Sequence, residues 1–154
     1  MTAESSQPLH TAAREFSSRL DDLTPMRTFV REMCQTEGVE PLPVRWHYQL
    51  ELAVNEAASN VMRHGLNGAD DQPIGMEAEV YPDRIVLRIL HRGAAFDRSG
   101  VAPPAFDGSR AGGFGVYIIE QAVDYVQYSC DSEGLNTVYL MKKFGSPADF
   151  DKDD

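Results

Sequence analysis

The sequence predicts an α+β fold, a two-layer sandwich in which helices cover one face of a mixed, mainly antiparallel sheet. Its 154 residues are enough for one domain with its own apolar core. Two segments with apolar residues at helical spacing come first, and two segments with the pattern of a β-hairpin follow, separated by a short apolar helix. Helices and hairpins grouped in this way are typical of an antiparallel sheet with helices on one side.

The first predicted helix begins near Thr24, which precedes a proline at the first helical position, and ends before Gly38. The second begins after Pro43 and continues to about His64, where Gly65 ends it. Each helix has an apolar stripe that we expect in the core. The stripes consist of Met26, Phe29, Val30, Met33 and Cys34 in the first helix and of Trp46, Leu50, Val54, Ala57 and Val61 in the second.

Two hairpins are predicted from strand-like segments that flank turn residues. Strands at 76–80 and 85–90 lie on either side of a Pro-Asp turn, and strands at 126–130 and 137–141 lie on either side of an Asp-Ser-Glu-Gly turn. These two hairpins together contribute four strands to the predicted sheet.

The remaining segments complete the domain organisation. A sequence rich in Gly, Pro and Ala predicts a long loop at 93–115, and 116–123 predicts a short buried helix. The first residues contain few large apolar groups, and the last are mostly acidic. We therefore expect a flexible N-terminal segment at 1–18, one domain at 19–145 and an acidic tail at 146–154, with no core residues in either end.

The composition excludes several classes of function. The chain carries 14 Lys and Arg against 24 Asp and Glu, a net charge of −10, which disfavours direct binding to nucleic acid or to an anionic membrane surface. No apolar run approaches the roughly 20 residues of a membrane helix, and the polar N-terminus lacks an export signal, so we expect a cytoplasmic protein. Cys34 and Cys130 lie far apart outside any metal-binding motif, and we expect two buried thiols.

Glu56 and Asn60 lie four residues apart on the second predicted helix, at the margin of its apolar stripe. A carboxylate at this place can accept a proton from a nucleophile, and an amide oxygen can help to bind a magnesium ion. The same pair, taken alone, is also typical of a solvated helix face. The outward face of this helix is expected to carry Tyr48, Glu51, Asn55 and Ser59.

Two segments contain glycines at places where a ligand could bind. Gly93 comes directly after a predicted strand and, because it lacks a Cβ atom, lets the backbone approach a ligand closely, although any strand-to-loop junction can have this sequence. The segment 109–115, Ser-Arg-Ala-Gly-Gly-Phe-Gly, precedes the short helix. Backbone N–H groups at such a helix start suit a phosphate, whereas the alternative is a flexible linker with a chance cluster of glycines.

Together these motifs resemble the GHKL ATPase superfamily, which has the histidine-kinase-like (Bergerat) fold, and within it the bacterial anti-sigma-factor serine kinases of partner-switching systems. The resemblance covers about residues 20–143. The sequence Glu-Leu-Ala-Val-Asn-Glu-Ala-Ala-Ser-Asn at 51–60 is similar to the family's N box, and Gly-Gly-Phe-Gly at 112–115 is similar to its second glycine box.

The resemblance implies a role for each matching residue. Glu56 takes the general-base position and Asn60 the magnesium-ligand position. Thr137 matches the threonine that the family places beneath the adenine, and Arg110 would contact the γ-phosphate from a lid at 98–112. The nucleotide-binding positions implied are Asn60, His91, Gly93, Arg110, Gly112, Gly113, Phe114, Gly115 and Thr137.

The function implied is that of a serine/threonine-protein kinase of the anti-sigma-factor type. Such a protein binds Mg²⁺ and ATP, phosphorylates a STAS-domain anti-anti-sigma protein and sequesters a sigma factor or another regulatory target. The family commonly forms homodimers, and exposed apolar residues expected on the first helix are compatible with one.

The sequence departs from the family at His91. The family usually has an Asp here, two residues before a glycine, and its carboxylate accepts a hydrogen bond from the adenine amino group. Loss of a charge-assisted hydrogen bond costs about 1.5–3 kcal/mol, whereas a neutral imidazole can still accept one bond. The alternative to a kinase is therefore a non-catalytic partner-switching module with weakened or lost ATP binding.

Overall fold

A computed structural model of the chain describes residues 7–36, 44–66, 71–93 and 114–144. The elements, in chain order, are β1 (His10–Ser17), α1 (Leu23–Met33), α2 (Val44–Asn60), β2 (Pro73–Val80), β3 (Arg84–Arg92), α3 (Phe114–Ala122), β4 (Tyr125–Cys130) and β5 (Leu135–Lys143). A 3-10 turn at Leu20–Asp22 precedes α1, and a π-helical turn at Val61–Gly65 continues α2. Within these residues no helix is long and apolar enough to cross a membrane.

The strands form one sheet in the order β1-β2-β3-β5-β4. All four pairings between the described strands are antiparallel, so the sheet has no mixed character in this part of the chain. Both predicted hairpins are confirmed, β2 with β3 and β4 with β5. The predicted α+β sandwich is confirmed as well, since the helices share one core with a single face of the sheet.

The core forms between that face and the helices because every second residue of the central strands is apolar. Ile74, Met76, Ala78 and Val80 of β2 are all at most 1 % exposed. Both predicted helical stripes are buried there too. Trp46 is fully buried, and its Nε1 donates to the carbonyl oxygen of Lys143 at 3.2 Å, which joins α2 to the end of the sheet.

The prediction that residues 1–18 form a flexible segment without core residues is wrong for His10–Ser17. This segment pairs along its whole length with β2 as an edge strand, and Phe16 enters the core at 8 % exposure. Its other side chains are mostly exposed. The hydropathy of the sequence therefore gave little indication of a strand that backbone hydrogen bonds hold in place.

α1 differs from its prediction at its start and on its surface. The helix begins at Leu23, so Thr24 lies inside its first turn and is not the residue that precedes it. Its apolar stripe is packed into the core. The exposed apolar residues that were expected on this helix as support for a homodimer are therefore absent from the described helix.

The predicted outward face of α2 is also corrected. Tyr48 is 66 % exposed, but Glu51 and Ser59 are only 8 % and 7 % exposed. α1 packs against α2, and Arg31 of α1 donates to both carboxylate oxygens of Glu51, at 3.1 and 2.8 Å. Glu51 is therefore polar without being exposed to solvent, because the neighbouring helix supplies its hydrogen-bond partner.

Candidate functional site

A small cavity of about 110 Å³ lies where β3 ends and β5 begins. The strand register places His91 of β3 opposite Asn136 of β5, and Asn136 opposite Cys130 of β4, so these three side chains share the helix-covered face. The residues that line the cavity are His91, Tyr128, Ser129, Cys130, Asn136, Thr137 and Val138. The cavity therefore combines the ends of three strands.

His91 is the most deeply buried titratable group of this cavity, with 2 % of its surface exposed. Neither ring nitrogen has a hydrogen-bond partner among the described residues. Burial lowers the pKa of His91 below its usual value, because the charged imidazolium loses its hydration. At neutral pH the side chain is thus a neutral imidazole with one donor and one acceptor.

Asn136 is held in one orientation by the backbone on both sides of the cavity. Its Nδ2 donates to the carbonyl oxygens of Gly93 at 2.9 Å and Gly134 at 3.3 Å. The reversed amide would set an acceptor against two acceptors, so the assignment of the two amide atoms follows from the contacts. The amide oxygen is left buried, and no partner for it occurs in the described chain.

Gly93 supports this arrangement through its backbone conformation. Its φ is +145°, which side chains with a Cβ atom rarely adopt, and its carbonyl oxygen accepts the shorter of the two bonds from Asn136. Gly93 therefore has a structural reason to be glycine at the strand exit, and the residue fixes the side chain that faces the cavity.

Among the described residues, two side chains that line this cavity have three buried polar atoms without a partner: Nδ1 and Nε2 of His91 and Oδ1 of Asn136. A buried polar atom without a partner costs about 1–3 kcal/mol, and most such atoms in folded proteins are paired with protein or ordered water. A cluster of them lining a cavity indicates a place for water or for a ligand with a polar edge.

Thr137 does not join this cluster as predicted. It pairs with Leu90, one residue away from the pair of His91 and Asn136, and side chains alternate between the faces of a strand. Its side chain thus belongs to the face that the helices do not cover, although the residue lines the rim of the cavity. The neighbouring Asn136 has the inward position on β5, because a shift of one residue changes the face.

Glu56 and Asn60 both lie on α2, toward the end of the helix that continues into the π-helical turn. The π-helical turn that continues this helix contacts β3, and α2 packs against α3. Glu56 is half-buried, and no hydrogen bond or ion pair occupies its carboxylate within the described residues. It contrasts with Glu51 on the same helix, whose two oxygens are both bound by Arg31.

Asn60 is 7 % exposed and lies at the junction between α2 and the π-helical turn. Its Oδ1 accepts a hydrogen bond from Nη2 of Arg63 at 3.0 Å, while its buried Nδ2 has no partner in the described part of the chain. The oxygen that a magnesium ion would need is therefore accessible to a cation, and the exposed Arg63 now fills that place.

Of the other predicted site residues, only Phe114 and Gly115 lie within the described part of the chain. Phe114 and Gly115 are the first two residues of α3. The remaining ones, Arg110, Gly112 and Gly113, lie outside the described residues, as does the predicted lid at 98–112.

Five residues of the cavity were not predicted to belong to a site, and Asn136 and Cys130 are two of them. The alternation of apolar residues at 138 and 140 would have indicated that even-numbered positions of β5 face inward. Cys130 was expected to be buried, but it is exposed, because it lies on the outermost strand.

Comparison with known proteins places these features in a family. Residues 16–142 match the family model described as histidine kinase-like ATPase domain. This range begins at Phe16 near the end of β1 and ends in β5, so it contains β2, β3, β4 and all residues that line the cavity.

The chain is also similar to curated proteins. It is 34 % identical over 97 residues to serine-protein kinase RsbW of Listeria monocytogenes serotype 4a, over 58 % of this chain and 61 % of that protein. It is 29 % identical over 113 residues to serine-protein kinase RsbW of Oceanobacillus iheyensis, over 68 % and 70 % of the two chains. It is 26 % identical over 99 residues to anti-sigma F factor of Clostridium beijerinckii, over 62 % and 69 %. The chain thus spans about three fifths of the length of the Listeria relatives.

Proposed function

Because the chain belongs to the histidine kinase-like ATPase domain family, we propose that it is a serine-protein kinase of the anti-sigma-factor type. It binds ATP at the cavity beside His91 and Asn136. It transfers the γ-phosphate to a serine or threonine of a STAS-domain anti-anti-sigma protein, and it sequesters a sigma factor when that antagonist is phosphorylated. The observation that carries this proposal is the cluster of unpaired polar atoms at the end of the sheet, inside the matched domain.

The residues of α2 supply the chemistry. Glu56 has a carboxylate with no competing partner in the described residues, so it can accept the proton of the attacking hydroxyl group. The first turn of α3 presents backbone N–H groups that can bind phosphate oxygens, because this is the end of the helix with the positive partial charge. Transfer of a phosphoryl group depends mainly on such positioning and on stabilisation of charge.

The donor set at Asn60 fits a magnesium ion that the nucleotide brings with it. Mg²⁺ usually keeps several waters and binds one or two protein oxygens together with substrate phosphates. Asn60 would supply the protein oxygen, and Arg63 would have to release it. When bound, the ion neutralises charge on the transferred phosphate.

A sigma factor as a partner is supported by the name of one relative, anti-sigma F factor, and a protein substrate is supported by the name serine-protein kinase RsbW of several others. We extend this role to the present chain together with cytoplasmic location, and we propose a homodimer on the family resemblance alone, because α1 packs its apolar stripe into the core. A net charge of −10 supports protein partners over nucleic acid.

Titration with ATP and ADP, each with and without Mg²⁺, tests the proposal first. Binding that depends on Mg²⁺, followed by transfer of labelled phosphate to a STAS-domain protein, is the expected result. Absence of nucleotide binding in a folded sample would overturn the kinase assignment.

One observation favours a second function, a binding module without catalysis. The base-binding position holds the neutral His91 and not a carboxylate, which removes a charge-assisted hydrogen bond. In that case the chain would bind its protein partners with the same affinity whether ATP is present or absent, and co-purification with a partner would show no nucleotide dependence.

A further inference from the structure

The unpaired atoms of the cavity form a pattern that can be compared with possible ligands. His91 is 2 % exposed and Asn136 is 4 % exposed, so a group that enters the cavity meets their polar atoms in place of bulk water. Both ring nitrogens of His91 and Oδ1 of Asn136 have no partner in the described residues. The two side chains can therefore each form a hydrogen bond with one ligand in the cavity.

The two side chains differ in how firmly their hydrogen-bonding roles are fixed. Oδ1 of Asn136 can only accept, because Nδ2 is bound to the carbonyl oxygens of Gly93 and Gly134. The neutral imidazole of His91 can carry its proton on either nitrogen: the backbone of Arg92 lies near the ring, but neither nitrogen forms a hydrogen bond of good geometry with a described residue. The cavity therefore presents one fixed acceptor beside a group that can either donate or accept.

We propose that His91 and Asn136 together recognise the C6 edge of a purine nucleotide and that this pair accepts guanine as well as adenine. This inference rests on the nucleotide binding of the proposed function. With adenine, the C6 amino group donates one hydrogen to His91 and the other to Asn136. With guanine, the C6 carbonyl oxygen accepts from the other tautomer of His91, and N1–H donates to Asn136.

A carboxylate at position 91 would give the opposite selectivity. It can only accept, so it strengthens the bond to the amino group of adenine and repels the carbonyl oxygen of guanine. His91→Asp should therefore tighten ATP binding by about tenfold and weaken GTP binding by about tenfold. The neutral side chain present in this protein removes that discrimination.

Calorimetric titration of the full chain with ATP, GTP and purine riboside triphosphate, each with Mg²⁺, tests the proposal. The last compound lacks a C6 substituent and serves as the matched control ligand. We expect dissociation constants for ATP and GTP within about tenfold of each other, and weaker binding of the control by about tenfold. A dissociation constant for GTP more than tenfold above that for ATP would overturn the proposal, and so would an unchanged ratio in His91→Asp.

A second variant separates recognition from structural support by Asn136. Asn136→Ala loses the contacts to Gly93 and Gly134 as well as the inward oxygen, so it could weaken binding of all ligands through the backbone. If the oxygen contacts the base, the variant loses more affinity for ATP and GTP than for purine riboside triphosphate. Equal losses for all three would assign Asn136 a purely structural role and contradict the proposal.

The titrations also distinguish failure of this inference from failure of the proposed function. Binding of ATP with exclusion of GTP overturns the dual recognition and leaves the kinase assignment intact. Absence of binding by all three nucleotides in a folded protein overturns both.

Discussion

The two sides of α2 differ in how their polar groups are paired. Toward α1, Arg31 binds both oxygens of Glu51, and Arg27 donates to Oδ1 of Asn55. Toward the end of the sheet, Glu56 has no partner among the described residues. Asn60 uses only its oxygen there.

The cavity beyond Asn60 continues this difference. Within the described residues, His91 and Asn136 have three buried atoms without a partner. On the α1 side, Glu51 is only 8 % exposed, but its carboxylate is paired with Arg31. Folding alone favours paired polar groups, because unpaired buried atoms are destabilising. The pairing on the α1 side is thus explained by stability, whereas the unpaired atoms at the cavity, among the described residues, have no such explanation.

Each of the two regions contains one cysteine. Of the effects predicted here, we expect the difference between the reactivities of these two thiols to be the largest. Burial raises the pKa of Cys34, beside Glu51, to about 12, while Cys130 is exposed at the cavity. Because the thiolate is the reactive form and Cys34 is also buried, a maleimide at pH 7 should label Cys130 at least about tenfold faster than Cys34 in the folded protein. Mass spectrometry of timed samples measures both rates.

Nucleotide adds a control to this labelling. If the cavity binds a purine, ATP with Mg²⁺ should slow labelling of Cys130 and leave the slow rate of Cys34 unchanged. Comparable labelling of both thiols without nucleotide would contradict the difference between the regions.

The two glutamates of α2 provide the next comparison. Glu56→Gln keeps the size of the side chain but cannot accept a proton, so phosphate transfer to a STAS-domain protein should fall by about 10²-fold or more while ATP binding persists. The matched control is Glu51→Gln, which loses an ion pair with Arg31 and should lower Tm by a few degrees with little effect on transfer. Near-normal transfer by Glu56→Gln would return Glu56 to a surface role.

Asn60→Ala should have a smaller effect, on metal-dependent binding. The substitution removes the oxygen that now accepts from Arg63, and we expect a loss of about tenfold or more in the part of ATP affinity that depends on Mg²⁺. Titrations with and without Mg²⁺ separate that part, and a circular dichroism spectrum checks the fold. Unchanged dependence on Mg²⁺ in a folded variant would exclude Asn60 as a ligand.

The elements that the sequence predicts correctly are those with a strong periodic pattern of apolar residues. The stripe from Trp46 to Val61 and the hairpin of β2 and β3 follow directly from apolar spacing, because burial on one face requires that spacing. β1 was missed, since Phe16 is its one large buried side chain and an edge strand depends on backbone pairing. Pattern alone does not show which strand a segment will join.

The site was predicted in part, for reasons that lie in register and packing. The motif at His91 and Gly93 was found correctly as a strand exit. Asn136 was overlooked in favour of Thr137, although Val138 and Leu140 mark the even-numbered positions of β5 as the inward ones and one residue changes the face. The pairing of Glu51 with Arg31 could not be predicted either, since it requires the angle at which α1 crosses α2.

The smallest expected effect concerns the pH dependence of stability at the cavity side. Burial lowers the pKa of His91 in the folded protein, whereas the unfolded chain has a pKa near 6.5 at this residue. As the pH falls below about 6.5, the unfolded chain takes up this proton before the folded protein does, so the contribution of His91 to the free energy of unfolding is complete above that pH and declines below it. For one proton the slope cannot exceed about 1.4 kcal/mol per pH unit.

His91→Gln has a neutral side chain that does not titrate and keeps the other three histidines as a common background. Urea unfolding from pH 5 to 8 should therefore give a steeper loss of stability toward low pH for the native chain than for His91→Gln, and parallel curves would show that the imidazole is not buried from solvent as the cavity requires.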